Sequence, residues 1–185
     1  MGTGHLIMGK LTDYLTGRTL PDTHDEQLIQ KISRFLVEEK GYSKNDILSR
    51  RKMALTVAGK TGSVPVHFII RMEKAYFAAV IYGPGSIVTR QRPTIAVARL
   101  FADYVIPFCV ITNGKEANLM DTKSGKVIGK NLSSIFSKEE ALLLLKGIHL
   151  ETLSGEHREK EQRILYAMDI LTEAECREFT CRTFS

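Results

Sequence analysis

The 185-residue sequence contains no tryptophan, only three cysteines and no long apolar run. Because three is an odd number and the chain is long enough to bury its own core, we expect reduced thiols rather than a disulfide framework. The longest apolar runs, at 75–82 and 141–150, fall well short of the roughly 20 residues that a membrane-spanning helix needs. The N-terminus lacks the basic start and apolar stretch of a secretory signal. We therefore expect a soluble, cytoplasmic protein without a membrane contact.

Charge is present but unevenly distributed. The formal net charge is +5, and 43% of the residues are hydrophobic, which is typical of a folded globular protein. Residues 61–135 carry nine basic and four acidic side chains, whereas residues 136–185 carry seven basic and ten acidic ones. A positive field in the middle of the chain favours a polyanionic partner such as nucleic acid, although an ordinary basic surface would have the same composition.

The N-terminal part of the chain combines an arm with a helix. Residues 1–20 contain several glycines and resemble an arm. Thr23 and Glu26 have the spacing of a capping box, in which each side chain bonds the other's backbone N–H, and an amphipathic helix follows. Gly41 is placed to end that helix in a left-handed conformation. Residues 43–50 favour a second, short helix.

A change of periodicity then predicts strands. The β-rich runs are residues 52–59, 64–72 and 75–82, and the last is apolar on both faces, as in a central strand. The segment at 60–63 predicts the first turn of this meander. Arg92–Pro93–Thr94 predicts the start of a second helix, because proline is well tolerated in a first turn.

A second β unit and further helices complete the chain. Residues 105–112, 117–122 and 126–129 predict strands, with a hairpin turn at Asn113–Gly114. Capping-box spacings recur at Ser137/Glu140 and at Thr172/Glu175. The order of elements predicts an α/β fold with one mixed sheet flanked by helices. We assign residues 21–135 to this core, and residues 136–185 to a helical extension that packs on the core or in a dimer interface.

Two stretches of this sequence resemble a known family. EEKGYSKND at 38–46 and VITNGKEANLMDTKSGK at 110–126 resemble the N-terminal domain of type I restriction enzyme R subunits, and the similarity extends over about residues 13–135. The resemblance implies a restriction-endonuclease-like fold. It also implies DNA or restriction-modification subunits as partners.

The family's catalytic pattern, P-D…(D/E)-x-K, is not present. In the family an Asp and a second acid hold magnesium, and a Lys two positions later positions the attacking water. Here the first position falls among Val64, Pro65 and Val66, while Val80 and Tyr82 occupy the positions of the acid and the lysine. The resemblance therefore predicts a catalytically degenerate domain that binds DNA or a partner without a metal cofactor.

Two alternatives remain open at this stage. A magnesium-dependent nuclease could be rebuilt on Glu26, which matches a Glu often found near the metal in this fold, although Glu26 is also explained as the capping partner of Thr23. The other acids considered, Glu73, Asp103 and Asp121, are expected at turns or in solvent. The second alternative is an oligomeric interaction protein, such as a homodimer, with no nucleic-acid role.

The most unusual segment of the core is a glycine-rich loop followed by arginines. Backbone N–H groups of such a loop, the positive end of a helix and arginine side chains all favour phosphate. A strand-to-helix turn with solvated arginines is the competing interpretation. The candidate phosphate-binding residues are Ser86, Arg90, Arg92, Arg99 and Lys115.

A zinc site has weaker support. His149, His157, Cys176 and Cys181 are potential ligands, but they lack the C-x-x-C spacing of structural zinc sites. Cys109 lies in an apolar run and is expected to be a core side chain. We therefore predict no metal site.

Overall fold

The computed structural model describes residues 8–170, in which helices flank a six-stranded mixed sheet. A separate hairpin, β1 (Lys10–Thr12) and β2 (Thr19–Pro21), precedes it. The strands of the main sheet are β3 (Ile47–Val57), β4 (Lys60–Met72), β5 (Ala75–Tyr82), β6 (Phe108–Thr112), β7 (Ala117–Asp121) and β8 (Val127–Lys130). The α-helices are α1 (His24–Arg34), α2 (Ile87–Leu100), α3 (Lys138–Leu145) and α4 (Gly155–Leu165).

The sheet keeps the order of the chain, from β3 at one edge to β8 at the other. All neighbouring strands are antiparallel except β5 and β6, which are parallel because α2 crosses over between them. The predicted α/β fold with a mixed sheet flanked by helices is confirmed. None of the helices between residues 8 and 170 has the length and apolarity to cross a membrane.

The sheet separates two hydrophobic cores. Leu36 and Phe77 are fully buried on the face that α1 and α3 cover. Ile106 and Leu165 are fully buried on the face that α2 and α4 cover. Strand β5 supplies buried residues to both cores, as expected of a central strand.

The beginning of α1 departs from the predicted capping box. The Thr23 hydroxyl accepts a hydrogen bond from the Glu26 backbone N–H at 3.1 Å, as predicted. The Glu26 carboxylate, however, binds Arg50 instead of returning to the backbone of Thr23. A guanidinium offers two charge-assisted hydrogen bonds, which are stronger than the single bond of a capping box. Past α1 the chain continues as a π-helical turn, and Gly41, with φ of 75°, reverses it as predicted.

The predicted helix at 43–50 and turn at 60–63 are both wrong in position. Only Lys44–Asp46 is helical, as a 3₁₀ turn, because the chain from Ile47 onward pairs with β4. The hairpin turn lies at Ala58–Gly59, where φ is 50° and 77°. Two left-handed residues form the two-residue turn that follows the natural twist of a hairpin, so the strands extend further toward the tip than predicted.

Helix α2 begins at Ile87, five residues before the predicted start, so Pro93 lies in its interior rather than in its first turn. Proline in a helix interior removes one backbone hydrogen bond. The four residues after Thr94 are all buried: Ile95, Ala96, Val97 and Ala98. Their burial against the sheet offsets the low helix propensity of the proline.

The helices after the sheet begin with side-chain caps. The predicted capping box of α3 is confirmed, since Ser137 N–H donates to Glu140 Oε2 at 2.7 Å and Glu140 N–H donates to Ser137 Oγ at 3.3 Å. Ser154 caps α4 in a similar way by accepting from His157 N–H. The Thr172/Glu175 pair lies outside the described residues.

Helix α4 contacts α2 through buried charge as well as through the apolar core. Glu161 is 5% exposed, and its two carboxylate oxygens each lie 2.7 Å from an arginine of α2, Arg92 or Arg99. Arg158 donates to the carbonyls of Leu100 and Ala102 at the C-terminal end of α2. Burial opposes the ionisation of Glu161, but the two arginines outweigh it and lower the pKa of Glu161. The negative charge of Glu161 is therefore needed where α4 packs against α2.

We predict that Glu161→Ala lowers the free energy of unfolding by about 3 kcal/mol, because it leaves two arginines facing each other without their shared carboxylate. Glu159→Ala is the matched control, since Glu159 is 67% exposed in a pair with Arg163 and its loss should change stability by less than about 0.5 kcal/mol. Urea denaturation at pH 7 measures both values. Equal stabilities of the two variants would contradict this role of Glu161.

Candidate functional site

Strands β3 and β4 exchange their packing faces halfway along their length. Phe68 packs in the core under α1, whereas Val66, two residues earlier, packs in the core under α2. In a regular strand these two side chains would share a face. The exchange occurs at Arg50 and His67. These residues form the cross-strand pair that is missing between Ser49–Phe68 and Arg51–Val66 in the otherwise continuous register of β3 and β4. Arg50 has a φ of 54°, which is rare for a residue with a side chain.

The Arg50 side chain joins two acids that are distant in sequence. Its guanidinium donates to both carboxylate oxygens of Glu26 on α1, with NH1 3.0 Å from Oε2. It also donates to Asp13 Oδ1 at 3.0 Å, and Asp13 lies between β1 and β2. Gln30 donates to both acids, at 2.6 Å and 2.8 Å. We call Asp13, Glu26, Gln30 and Arg50 the Arg50 cluster.

The Arg50 cluster keeps the carboxylate of Asp13 ionised. The side chain of Asp13 is 1% exposed, and burial is the largest single influence on it, opposing ionisation. Hydrogen bonds from Arg50, Thr16 and Gln30, together with the charge of Arg50, outweigh burial and lower the pKa of Asp13 to about 2. Hydrogen bonds to Glu26 and Asp13, together with the charges of these acids, raise the pKa of Arg50 despite its partial burial. At neutral pH Asp13 is therefore ionised and Arg50 is charged.

His67 and Tyr82 lie beside the cluster. The His67 ring nitrogen Nδ1 accepts a hydrogen bond from the Tyr82 backbone N–H at 3.2 Å, where β4 and β5 no longer pair. Burial, assisted by the charge of Arg50, lowers the pKa of His67 to about 4. The Tyr82 hydroxyl donates to Asp25 Oδ1 at 2.8 Å, and burial and Asp25 both raise the pKa of Tyr82. Both side chains are thus neutral at pH 7.

The positions that the family resemblance assigns to catalysis do not fit a magnesium ion. Val80 is fully buried in the core under α1 and offers no oxygen ligand. Tyr82 is a protonated phenol engaged with Asp25. Val66 is fully buried on the opposite face of the sheet. The Asp25 carboxylate accepts from the Tyr82 hydroxyl, and the carboxylates of Asp13 and Glu26 already share the guanidinium of Arg50.

Part of the predicted phosphate site is brought together at the carboxyl ends of β5 and β6. Ser86 is exposed at the N-cap of α2, and Lys115 is exposed on the turn after β6. The Asn113 side chain donates to the Gly85 carbonyl at 3.0 Å, which holds these two loops together. Arg90, in the second turn of α2, forms an ion pair with Asp169 at 2.9 Å and remains 45% exposed.

Arg92 and Arg99 lie further along α2, in the ion pairs with Glu161. Arg99 also donates to the backbone carbonyls of Thr122 and Lys123, at distances of 2.9–3.1 Å. The side chains of Arg92 and Arg99 are 36% and 21% exposed, respectively. The structure therefore separates the five candidate residues into three that share a loop surface and two in the contact between α2 and α4.

The other acids and the possible zinc ligands have ordinary surroundings. Glu73 is exposed at the turn between β4 and β5, and Asp103 is exposed just beyond α2. Asp121 accepts hydrogen bonds from the backbone and hydroxyl of Ser124 and so stabilises a turn, as predicted. Among residues 8–170, no three His, Cys, Asp or Glu side chains are arranged to hold a metal.

The potential zinc ligands are not assembled in the described region. His149 and His157 line a surface cavity of about 370 Å³, together with Phe108 and Leu153. Cys176 and Cys181 lie outside the described residues. Cys109 is fully buried, and burial raises the pKa of its thiol to about 12, as for an inert core side chain.

Sequence reasoning missed the central residues of the cluster. Asp13 lies in the segment that resembles an arm, and Arg50 was assigned to a short helix rather than to a strand. One available signal was the absence of any acid between residues 47 and 72, where Arg50 needs a partner from elsewhere once it is buried. His67 gave no sequence signal, because its role depends on the switch of packing face.

Comparison with known proteins gives one match. Residues 24–135, more than half of the chain, match the family described as the type I restriction enzyme R protein N terminus. No curated protein and no solved structure matches the chain. The matched range contains α1 and the whole sheet, and thus Glu26 and Arg50, but it excludes Asp13 and Glu161.

Removing the guanidinium tests the cluster. We predict that Arg50→Gln lowers the free energy of unfolding at pH 7 by about 3 kcal/mol, because Asp13 and Glu26 then remain buried without a cation. Arg51→Gln, one residue away and exposed, should change it by less than about 0.5 kcal/mol.

The pH dependence provides a second test of the same variant. The folded-state pKa of Asp13 is depressed to about 2, so its contribution is complete above the unfolded pKa of about 3.9 and is lost as the pH falls toward 2. The difference between wild type and Arg50→Gln should therefore narrow below pH 4 in urea denaturation. A difference that is constant with pH would contradict the pairing of Arg50 with Asp13.

His67 should make the protein sensitive to mild acid. Its folded-state pKa is about 4, whereas that of an unfolded histidine is about 6.5. Only the unfolded state gains a proton as the pH falls through this window, so the stability contribution present above pH 6.5 is lost progressively toward pH 4. His67→Gln should flatten this part of the stability profile, and the exposed control His149→Gln should not.

Proposed function

Because the chain belongs to the family of type I restriction enzyme R protein N termini, we propose that it is a catalytically degenerate, restriction-endonuclease-like module that binds DNA within a restriction-modification system. The observation that supports this most strongly is the position of Arg50. A fixed organic cation is bound between the carboxylates of Asp13 and Glu26, and Glu26 is the acid that the family resemblance places near the metal.

An arginine supplies charge but not the chemistry of a metal. Phosphodiester hydrolysis in this fold needs a cation that binds the scissile phosphate and activates a water molecule. The Arg50 guanidinium is already bound by three carboxylate oxygens, two from Glu26 and one from Asp13. Val80 and Tyr82 supply no metal ligand and no ammonium group beside it. The cluster therefore favours a structural role over hydrolysis.

A nuclease rebuilt on Glu26 is the second candidate, and one observation favours it. Two carboxylates, those of Asp13 and Glu26, converge on a single cation, as they would on a metal ion. This activity would require Arg50 to leave the cluster so that a divalent cation could enter. The raised pKa of Arg50 and the 1% exposure of Asp13 both oppose that exchange.

The loops at the carboxyl ends of β5 and β6 support DNA binding. Ser86 and Lys115 are exposed there, and Arg90 lies on the adjoining turn of α2. Hydroxyl and cationic side chains beside a helix N-terminus are the groups that contact phosphate oxygens in nucleic-acid complexes. We propose these three residues as one contact to the DNA backbone.

We predict that the protein retards duplex DNA without magnesium and with a steep salt dependence. The double variant Arg90→Gln/Lys115→Gln should bind severalfold more weakly, with a salt slope shallower by about 1–2. Lys126→Gln/Lys130→Gln removes the same charge from exposed positions beside edge strand β8 and should bind as wild type does. Equal weakening of both double variants would reject the loop site.

Plasmid nicking separates the two candidates. We expect no nicking by the wild-type protein with Mg²⁺ or Mn²⁺. Metal-dependent nicking that Glu26→Gln abolishes, while Glu39→Gln at an exposed position retains it, would replace the proposal with the rebuilt nuclease.

A further inference from the structure

We propose that the outer half of the β3–β4 hairpin, residues 51–66, is a second surface for the backbone of duplex DNA. We call this segment the basic ribbon. The inference rests on the proposed DNA-binding function and extends it to a surface on the far side of the Arg50 cluster from α1.

The charge of the hairpin is entirely of one sign. Between Ile47 and Met72 there are five basic residues and no acidic residue. Arg50 is neutralised within its cluster, but Arg51, Lys52 and Lys60 are exposed and have no ion pair in the part of the chain that the structure describes. An unneutralised basic surface attracts a polyanion, and binding releases the counterions of the nucleic acid.

The switch of packing face leaves one side of the basic ribbon open. Met53, Leu55, Val64 and Val66 pack in the core under α2, so the alternate residues point away from it. These alternate residues form the cross-strand pairs Lys52–Pro65, Ala54–Ser63 and Thr56–Thr61, and all six are exposed. The core on the α1 side contains no residue of this segment, so α1 does not cover it.

The open face has the shape and chemistry that a phosphate backbone requires. Apart from Lys52 its side chains are small, so a nucleic-acid strand can approach the sheet closely. Thr56, Thr61 and Ser63 supply hydroxyl groups, which commonly contact phosphate oxygens. At about 3.3 Å per residue the ribbon is about 20 Å long, which corresponds to about six base-pair steps of 3.4 Å.

The neighbouring cluster reduces the negative charge that would otherwise repel DNA. Asp13 and Glu26 lie at the inner end of the ribbon, beside Arg50. Two unpaired carboxylates there would disfavour a phosphate, and the guanidinium compensates one of their two charges. Arg51 at the inner end and Lys60 at the tip belong to the cross-strand pairs Arg51–Val66 and Val57–Lys60, which alternate to the other side of the hairpin, and as exposed residues they add positive charge at its two ends.

The surface fits DNA better than an anionic membrane. A peripheral membrane site combines basic residues with large apolar side chains that enter the lipid. The exposed apolar side chains of the ribbon's open face are only Ala54 and Pro65. Ile128 and Leu143, two of the large exposed hydrophobic residues among those described, lie outside the ribbon, on β8 and α3.

The test is the triple variant Arg51→Gln/Lys52→Gln/Lys60→Gln of the full chain. Binding to a fluorescein-labelled 20-base-pair duplex is followed by anisotropy across a series of salt concentrations. We expect affinity at about 100 mM salt to fall tenfold or more, and the salt slope to become shallower by about 2–3. The matched control, Lys126→Gln/Lys130→Gln/Lys146→Gln, removes the same charge from exposed positions away from the hairpin and should retain wild-type binding.

Four outcomes decide the question. Loss of binding in the ribbon variant alone, with an unchanged far-ultraviolet circular dichroism spectrum and melting temperature, supports the proposal. Equal loss in both triple variants shows a general charge effect and overturns it. Wild-type affinity in the ribbon variant also overturns it, while the proposed function stands. If the wild type binds vesicles of 30% phosphatidylserine but not DNA, both the ribbon inference and the proposed function are overturned.

Discussion

The guanidinium of Arg50 connects the N-terminal hairpin, the first helix and the sheet. Three carboxylate oxygens from Asp13 and Glu26 converge on it, although these acids are 37 and 24 residues away in sequence. Its left-handed φ allows β3 to exchange its packing faces at this point, and β4 exchanges its faces at His67. The N-terminal hairpin, α1 and the sheet are therefore joined at one side chain.

The two faces of the sheet use opposite arrangements of buried charge. Beneath α1 one cation, Arg50, lies between two carboxylates, and beneath α4 one carboxylate, Glu161, lies between Arg92 and Arg99. Each arrangement is a compact three-charge group in which removing the central residue leaves two like charges together. These groups neutralise acids and arginines inside the fold, while Arg51, Lys52 and Lys60 remain exposed on the outer hairpin and Lys115 remains exposed on the loop after β6.

Much of the fold was accessible from local sequence signals, but the site was not. Capping residues such as Thr23 and Ser137, and the Asn113–Gly114 turn, act over a few residues and were read correctly. The start of α2 was misplaced because burial of Ile95–Ala98 against the sheet overrides the positional preference of Pro93. Asp13, Arg50 and His67 were missed because their roles arise only when distant segments of the chain come into contact. The hydrophobic periodicity of a sequence carries no information about such long-range contacts.

The buried pairing of Arg50 also limits the substitutions that the fold tolerates. A carboxylate introduced at the fully buried position of Val80 would enter an apolar core. If Arg50 were lost first, Asp13 and Glu26 would remain as buried charges without a cation. The cost would be about 3–5 kcal/mol, which is a large share of the roughly 5–15 kcal/mol that stabilises a typical domain. Either order of substitution passes through a poorly folding intermediate. Arg50 therefore restricts how these positions can evolve, and the restriction comes from the requirements of folding alone.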